Sequence, residues 1–430
     1  MQVWVRIGFG WLSLGLVFSV GIGGGVVQAQ KNELQLELQE NIEALGSEIS
    51  RLQRVQKGLQ LIYEKIGVKE GLSKPGQNQD QFVAVFDGGS TGTRLNIYRF
   101  DAKGLELKKH VLESVSPGIH QSASPMKDIE TLLARGRSFL ASQGHSEQYD
   151  FPVVFNGTAG LRLVELKHRE RVLAEVKEAL VKATKKKDIE VRVIDGKEEG
   201  FYAWAALAFA TKSKDKIAII DLGGGSAQIS FEIDRDLQSS QDGIVEGKKK
   251  KVLSKSFLGL GLVAGLEQVH RLDTQQVCAW GEKTFELTAC KRHMKASLSS
   301  MILEKTGGKE IAPGISQVST VFVSSFISEI LHEFNTPSNI QFKDIKSLVD
   351  SVCVVKKSGA TGLELALSPM SAQAVPTVST PPPSLKCPTV IYASMFMENL
   401  GVGLFTPIKD ASLIPVDISW SLGRALSLIE

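Results

Sequence analysis

Two similar stretches of the sequence constrain the fold most. Each is an apolar run that ends in an aspartate and continues into a glycine-rich turn. The first, at residues 82–94, reads FVAVFDGGSTGTR, with Asp87 at the end of the apolar run. The second, at residues 217–231, reads IAIIDLGGGSAQISF, with Asp221 in the same place. Runs of β-branched and aromatic residues predict buried strands, and the glycines that follow allow a tight turn.

The two turns are typical of phosphate binding. Small residues let backbone N–H groups and hydroxyls close around an anion, and an acid at the strand end is placed to hold a hydrated Mg²⁺ or Ca²⁺. A single such turn is also found as an ordinary strand–turn connection. Two of them, about 130 residues apart, predict a duplicated α/β fold that grips a nucleotide's phosphates from both sides of a cleft. The candidate phosphate-binding residues are Gly89, Ser90, Thr91, Gly92 and Thr93 in the first turn, and Gly223, Gly224 and Gly225 in the second.

The composition allows two lobes and does not indicate nucleic-acid binding. The chain has 430 residues, of which 43% are hydrophobic, enough for a large core or two lobes. Its net charge is only +3, and we interpret the lysine runs at 185–187 and 248–251 as solvated surface. No nucleic-acid partner is therefore expected.

The N-terminus predicts export from the cytosol. Arg6 precedes an apolar stretch at 7–27, and the small residues Val27 and Ala29 have the spacing of a signal-peptidase site, which predicts cleavage after Ala29. The alternative is an uncleaved membrane anchor, since the stretch is nearly long enough to span a bilayer. Either reading places the body outside the cytosol: secreted, periplasmic, in a secretory lumen, or held at a membrane by this segment.

The four cysteines agree with export. Four cysteines allow three pairings, of which we expect the sequential one, Cys278–Cys290 and Cys353–Cys387. An even number of cysteines in an exported chain favours disulfides. The alternative, a zinc site, fits poorly because the spacings are wrong and no histidine pair accompanies them.

A leucine-spaced polar stretch at residues 31–66 predicts a coiled coil. Apolar residues recur there at alternating steps of four and three, with Gln56 and Tyr63 as exceptions. We expect it to form a homo-oligomer or to hold the body away from a membrane; the alternative is one amphipathic helix packed on the body. A glycine- and proline-containing linker at 67–81 follows.

Two segments between the glycine-rich turns add candidate residues. A short strand at 151–155 runs into small residues that include Thr158, a hydroxyl ligand for phosphate, and Arg162, which is either catalytic or a structural ion-pair partner. Glu198 and Glu199 precede an apolar helix. Such acids can stabilise the helix N-terminus, or one of them can face the cleft as the general base for a water molecule.

Together these segments resemble the ecto-nucleoside triphosphate diphosphohydrolase, or apyrase, family of the actin-like ATPase superfamily, over about residues 80–430. The cysteine pairs resemble its soluble, two-disulfide branch. The matching motifs, in the family's order, are DGGSTGTR at 87–94, TAGLR at 158–162, KEEGFYAW at 197–204, DLGGGSAQ at 221–228, SFLGLGL at 256–262 and SWSLGRA at 419–425.

The resemblance implies a role for several residues at matching positions. They are Glu199 as the catalytic base, Ser226 and Gln228 as residues that position the attacking water, Asp87 and Asp221 as acids that hold the cation largely through its waters, and Thr158 and Trp420 as groups near that hydrated ion. It also implies that Glu198 is a neighbour that tunes the base or caps the helix.

Some positions depart from the family's pattern. Ala227 stands where threonine is usual, Gly157 replaces a common alanine, and Arg424 replaces a small residue after the terminal Leu-Gly. The family's tyrosine-rich stretch is represented by FVSSF at 322–326, so the preferred base stays open.

These observations predict an α/β, two-lobed, actin-like (ribonuclease H-like) ATPase fold behind the N-terminal segments at 1–29 and 30–66. Lobe one is expected at 82–195 with a C-terminal return at 405–430, and lobe two at 196–404. The predicted function is metal-dependent hydrolysis of the terminal phosphate of nucleoside di- and triphosphates. The alternatives are an exopolyphosphatase-type phosphatase of the same superfamily, and an inactive nucleotide-binding coiled-coil scaffold.

Overall fold

The computed structural model describes most of the chain after residue 79. It describes residues 2–7, 10–15, 80–104, 106–146, 148–234, 240–245, 248–278, 285–306, 315–353, 386–416 and 418–429. The predicted coiled coil at 30–66 and all but the last two residues of the linker at 67–81 lie outside the described residues. Among the described helices, none has both the length and the apolar character needed to cross a bilayer.

The predicted export segment contains one described feature. Strand β1 (Gln2–Ile7) pairs antiparallel with β2 (Gly10–Gly15), within a separate unit that spans Met1–Gly58. The signal peptide or anchor stays a prediction.

The first large sheet has five strands in the order β5-β4-β3-β6-β7. Strands β3, β4 and β5 form an antiparallel meander, while β6 and β7 run parallel to β3. The strands are β3 (Gln81–Gly88), β4 (Thr93–Phe100), β5 (Leu107–Val115), β6 (Val153–Gly157) and β7 (Glu190–Val193), and the helices that accompany them are α1 (Pro125–Ser142), α2 (Ala159–Leu163) and α3 (Leu166–Thr184), with a short 3₁₀ helix at Ile119–Gln121.

The second large sheet has seven strands in the order β10-β11-β9-β8-β12-β14-β13. Strands β8, β12 and β14 are parallel, and the rest pair antiparallel. The strands are β8 (Ile217–Leu222), β9 (Ser226–Ile233), β10 (Ser240–Val245), β11 (Lys248–Leu258), β12 (Thr320–Ser325), β13 (Ile340–Gln341) and β14 (Pro407–Asp410); the helices are α5 (Leu262–Leu272), α6 (Leu287–Thr306), α7 (Phe326–Glu333), α8 (Phe342–Val352) and α9 (Lys386–Asn399). A 3₁₀ helix at Ala411–Leu413 follows β14.

The two sheets repeat one arrangement, as the two glycine-rich turns predict. In each sheet a central strand, β3 or β8, pairs antiparallel with the next strand through the glycine-rich turn and parallel with a strand on its other side. Asp87 and Asp221 therefore lie at the carboxyl ends of equivalent strands. The α/β, two-sheet architecture predicted from the sequence is confirmed.

One helix, α4 (Gly196–Thr211), fills the space between the sheets. Its first three turns are buried on nearly all sides, which explains why its apolar residues follow no single stripe. The same core contains Val83 and Val85 from the first sheet, Ile217 and Ile219 from the second, and the C-terminal helix α10 (Trp420–Leu426). Separate cores cover the outer face of each sheet.

Glycines allow α4 to approach its neighbours closely. A Cβ atom at Gly196 would lie 1.9 Å from Ser256 Oγ, and one at Gly200 would lie 2.6 Å from Ser254 Oγ. A Cβ atom at Gly423, on α10, would lie 1.9 Å from the carbonyl oxygen of Tyr202. Each contact is far shorter than a carbon side chain permits, so the KEEGFYAW and SWSLGRA motifs need glycine for packing.

The predicted disulfides are present. Cys278 bonds Cys290 and Cys353 bonds Cys387, so the zinc alternative is excluded. Disulfides indicate an oxidising compartment.

The C-terminal return begins later in the chain than the predicted residue 405. Strand β14 (Pro407–Asp410) pairs with β12 and β13 inside the second sheet, because Ile408 continues that sheet's buried face. The residues after Asp410 reach α4 and the first sheet: helix α10 packs against α4, β3 and β4, and Ser419 Oγ lies 3.4 Å from the Tyr98 hydroxyl of β4.

Replacement of Gly423 by alanine tests the crossing of α10 and α4. We expect Gly423→Ala to lower the free energy of unfolding by at least about 2 kcal/mol, because the new methyl group would collide with a backbone carbonyl. Urea denaturation measures this. Gly403→Ala is the control, since its Cβ atom would meet only Thr406 Oγ1 at 3.2 Å; equal stability of the two variants would contradict the packing argument.

Candidate active site

The predicted site residues meet in one cleft at the carboxyl ends of β3 and β8. The cleft has a volume of about 820 Å³. Its lining includes all but one of the residues to which the sequence analysis gives a role in binding the phosphate or cation or in activating the water: Asp87, Gly89, Ser90, Thr91, Gly92, Thr158, Glu199, Asp221, Gly223, Gly224, Gly225, Ser226, Gln228 and Trp420. The exception is Thr93, which is fully buried as the first residue of β4 and pairs with Gly88.

The two glycine-rich turns face each other at close range. A Cβ atom at Gly224 would lie 3.2 Å from both Ser90 Oγ and Thr91 Cγ2, and one at Gly225 would lie 3.1 Å from Ala159 Cβ. A larger residue at Gly224 would push against the first turn, and one at Gly225 would push against α2. The two turns therefore come within side-chain contact distance of each other at Gly224.

The SFLGLGL motif holds the second turn in place. The carbonyl oxygen of Gly223 accepts a hydrogen bond from Leu262 N at 2.8 Å, and that of Gly224 accepts one from Ala264 N at 3.1 Å. Carbonyls held by α5 cannot turn towards an anion, which their partial negative charge would repel. Gly261 fits only because it lacks a side chain: a Cβ atom there would lie 2.5 Å from Gly223 O and Ser226 N.

Asp87 is a buried carboxylate with an incomplete set of partners. Its Oδ2 atom lies 3.4 Å from Arg94 Nη1, while its Oδ1 atom is buried without a hydrogen-bond partner. Burial raises the pKa of Asp87 to about 6; Arg94 lowers it and the negative charge of Asp221 raises it. Asp221 Oδ1 accepts a hydrogen bond from Ser324 Oγ at 2.9 Å.

The donor set at this end of the cleft fits a hydrated divalent cation. Two carboxylates repel each other there, and an oxygen of Asp87 lacks a partner, so a cation would satisfy both. Within the described part of the chain, no cluster of three or more His, Cys, Asp or Glu residues can enclose a metal ion. Such a cation would keep most of its water, as is usual for Mg²⁺.

Glu199 lies on the first turn of α4 and faces the cleft. Asp195 begins this turn, because its Oδ1 atom accepts the hydrogen bond from Glu198 N at 2.8 Å. The Oε2 atom of Glu199 accepts hydrogen bonds from Arg162 Nη2 and, at 3.2 Å, from Gln228 Nε2. The partners come from α2 and β9, so both sheets contribute to holding this carboxylate.

The pKa of Glu199 suits a group that exchanges protons near neutral pH. Burial raises its pKa to about 7, Arg162 lowers it, and the charges of Asp221 and Asp87 raise it further. Gln228 Nε2 also donates to Ser226 Oγ at 2.8 Å, which links the base candidate to the end of the second turn.

The two neighbouring acids Glu198 and Glu199 lie in different surroundings. Glu198 is buried outside the cleft, where Arg192 donates to both of its carboxylate oxygens. Only Glu199 lines the cleft. Arg162, left open between two readings, is an ion-pair partner of Glu199 and does not line the cleft.

Thr158 and Trp420 flank the site from two sides. Thr158 precedes α2, its N atom donates to the carbonyl oxygen of Gly88 at 3.1 Å, and its hydroxyl lies 3.4 Å from the same oxygen. Trp420 is the first residue of α10. Both side chains are largely buried where they line the cleft.

Sequence reasoning missed several lining residues. Arg94 is the last residue of the first motif and forms an ion pair with Asp87. The two residues lie opposite each other on β3 and β4, so the predicted hairpin could have indicated this pair. Ser324 lies beside Asp221 in the register of β12 and β8, which is visible only once the strands are paired. Ile414, Pro415 and Val416, which precede the SWSLGRA motif, also line the cleft, and nothing in the sequence indicates them.

The fold and the cleft define the class of the protein: it has the two-lobed actin-like ATPase fold, with two glycine-rich turns that face each other. Among solved structures, nucleoside triphosphate hydrolases from Neospora caninum are similar with a TM-score of 0.52 and 13% identity, over 90% of this chain and 96% of that one. The Aquifex aeolicus PPX-GPPA enzyme is similar with a TM-score of 0.51 and 17% identity, over 81% of this chain and 100% of that one. These likenesses concern the fold alone.

Sequence comparison narrows the class to one family. Residues 73–301, more than half of the 430-residue chain, match the GDA1/CD39 (nucleoside phosphatase) family, and the chain belongs to it. Human ectonucleoside triphosphate diphosphohydrolase 6 is 25% identical over 374 residues, covering 80% of this chain and 76% of that protein. The giant panda (Ailuropoda melanoleuca) ectonucleoside triphosphate diphosphohydrolase 5 is 33% identical over 215 residues, covering 45% of this chain and 49% of that protein. Potato (Solanum tuberosum) apyrase is 29% identical over 218 residues, covering 45% of this chain and 47% of that protein. The expected family is therefore confirmed, and the protein is an enzyme of the nucleoside phosphatase type.

Replacement of Gly261 by alanine tests the support of the second turn. We expect Gly261→Ala to lower kcat/KM for nucleotide hydrolysis by at least about tenfold, because a methyl group 2.5 Å from Gly223 O must displace the turn. Steady-state phosphate release measures this, with Gly403→Ala as control. Activity equal to that of the control would show that the turn tolerates the displacement.

Proposed function

We propose that the protein hydrolyses the terminal phosphate of nucleoside di- and triphosphates, with Glu199 as the general base. The observation that carries the proposal is the position of this carboxylate. It lies in the same cleft as both glycine-rich turns and the acid pair of Asp87 and Asp221, and its Oε2 atom is held by Arg162 and Gln228.

The terminal phosphate is proposed to lie between the two turns. Backbone N–H groups and the hydroxyls of Ser90 and Thr91 bind its oxygens. Asp87 and Asp221 would hold the cation largely through its waters. When bound, the cation neutralises charge that develops on the transferred phosphoryl group.

Glu199 is proposed to take the proton from the attacking water. Arg162 and Gln228 both donate their hydrogen bonds to Oε2 of this carboxylate, so we propose that Oε1 is the atom that accepts the proton. Ser226 and Gln228 position the water beside it. A bond forms between the water oxygen and phosphorus while the bond from phosphorus to the leaving nucleotide oxygen breaks, and no covalent enzyme intermediate is formed.

We propose that the reaction takes place outside the cytosol, after export of the protein. Two disulfides and the predicted N-terminal signal or anchor both support an oxidising space outside the cytosol. The substrate is then extracellular or lumenal nucleotide.

An isosteric change of the base tests the reaction. Glu199→Gln is expected to lower kcat about 10²–10⁴-fold, because the amide cannot accept the water's proton. Phosphate release from ATP, ADP, GDP and UDP is measured with Mg²⁺ or Ca²⁺ and after chelation. Glu175→Gln, on the exposed surface of α3, is the control.

The same assay distinguishes the alternatives. Phosphate release from polyphosphate but from no nucleotide would favour an exopolyphosphatase-type phosphatase. The fold is compatible with this alternative, because the Aquifex aeolicus PPX-GPPA enzyme shares it. Nucleotide binding without release would favour the inactive scaffold. Release that Glu199→Gln leaves unchanged would reject Glu199 as the base.

The pH dependence tests the partner of the base. Glu199 must be ionised to act, so kcat/KM is expected to fall as the pH drops below about 7, with Asp87 protonation adding to the loss below about 6. Arg162 lowers the pKa of Glu199, so Arg162→Met should raise it and move the acidic limb to higher pH. Profiles from pH 5 to about pH 9 measure this shift; an unshifted limb would contradict the role of Arg162.

A further inference from the structure

Four charged side chains form a chain outside the cleft. They alternate in sign, connect α10 to β7 and β7 to α4, and comprise Arg424, Glu190, Arg192 and Glu198. Arg424 and Glu198 are buried, while Glu190 and Arg192 are partly buried. None of the four lines the cleft that contains Glu199.

At one end of the chain, Arg424 satisfies Glu190. Arg424 Nη2 donates to Glu190 Oε2 at 2.9 Å, and Nη1 donates to Ser427 Oγ at 2.7 Å. The other oxygen, Glu190 Oε1, accepts from Arg192 Nε at 2.8 Å and from Asn156 Nδ2 at 3.0 Å. Although burial raises it, the two guanidinium groups bring the pKa of Glu190 down to about 2.

At the other end, Arg192 holds the residue next to the proposed base. Its Nη1 atom donates to Glu198 Oε2 at 2.8 Å, and its Nη2 atom donates to Glu198 Oε1, which makes the contact bidentate. The Tyr202 hydroxyl, one turn along α4, lies 3.4 Å from Glu198 Oε1. The guanidinium of Arg424 lies over the ring of Tyr202, 5.8 Å from its centroid, so α10 contacts the same turn directly.

Arg424 completes the balance of charge in this chain. With it, two positive and two negative groups are paired, and Arg192 can give both Nη atoms to Glu198 while only Nε contacts Glu190. Without it, the partly exposed Glu190 would have to be neutralised by Arg192 and would compete with Glu198 for that guanidinium. The buried Glu198 receives hydrogen bonds from Arg192 on both of its oxygens, so this competition would disturb the bidentate contact.

We propose that Arg424 is a positioning residue for Glu199, acting through Glu190, Arg192 and Glu198. Neighbouring residues on a helix turn point to different sides, so fixing Glu198 outside the cleft fixes the direction in which Glu199 enters the cleft. The inference rests on the proposed role of Glu199. It also gives a use to an arginine at a position where a small residue is usual in the resembling motif.

Kinetics on two backgrounds test the proposal. Arg424→Met is expected to lower kcat about tenfold with KM within about twofold, because the base is misdirected while the phosphate turns are untouched. Arg424→Lys should restore kcat to within about threefold. In the Glu199→Gln background, Arg424→Met should lower kcat by less than about twofold, because Arg424 is proposed to act on kcat through the Glu199 carboxylate that this background lacks. An equal loss on both backgrounds would overturn the proposal, because a general structural defect acts on any residual activity.

Amide hydrogen exchange gives a readout that needs no turnover. Glu198 N and Glu199 N bond to Asp195, and their exchange should become at least about fivefold faster in Arg424→Met, with the amides of α8 unchanged. Unchanged exchange in the first turn of α4 would overturn the proposal, whether or not the wild type releases phosphate. Absence of phosphate release from the wild type would instead count against the proposed function. Arg171→Met, at an exposed ion pair on α3, is the control, and Glu190→Gln replaces Arg424→Met if the latter does not fold.

Discussion

The burial of one carboxylate, that of Glu199, organises the structure around the cleft. A buried charge must be paired and hydrogen-bonded, and the partners here come from separate elements: Arg162 from α2 and Gln228 from β9. The helix that carries the carboxylate is itself enclosed by both sheets and by α10. The position of the acid therefore depends on the whole arrangement of lobes rather than on one local motif.

Close backbone approach is the second requirement of the fold, and it explains motifs that otherwise look purely functional. Gly196 and Gly200 let α4 lie on a serine-lined face of the second sheet, and Gly423 lets α10 cross α4 at Tyr202. Gly261 allows α5 to contact the second turn. Glycines in the third, fifth and last motifs thus act as packing residues, while Gly224 and Gly225 let the second turn lie close to Ser90 and Ala159.

Much of this arrangement could be predicted from the sequence, because strands that end in Asp-Gly turns are local signals. The two sheets, the family and the disulfide pairs followed from residues adjacent in the chain. The rest depended on tertiary pairing: that Arg162 is the partner of Glu199, that Arg192 is the partner of Glu198, and that β14 belongs to the second sheet. Nothing in the sequence indicated a role for Arg424, because its partners Glu190 and Tyr202 lie more than 200 residues away in the chain.

The shared contacts of Glu199 have a consequence for substrate entry. One turn that encloses the proposed phosphate belongs to the first sheet and the other to the second, so widening the entrance means moving the sheets apart. Such a movement would pull Arg162 and Gln228 away from each other, and the carboxylate between them could keep only one. Opening the entrance would therefore cost Glu199 one of the two hydrogen bonds to its Oε2 atom, and the full set is kept only while the two turns stay close together.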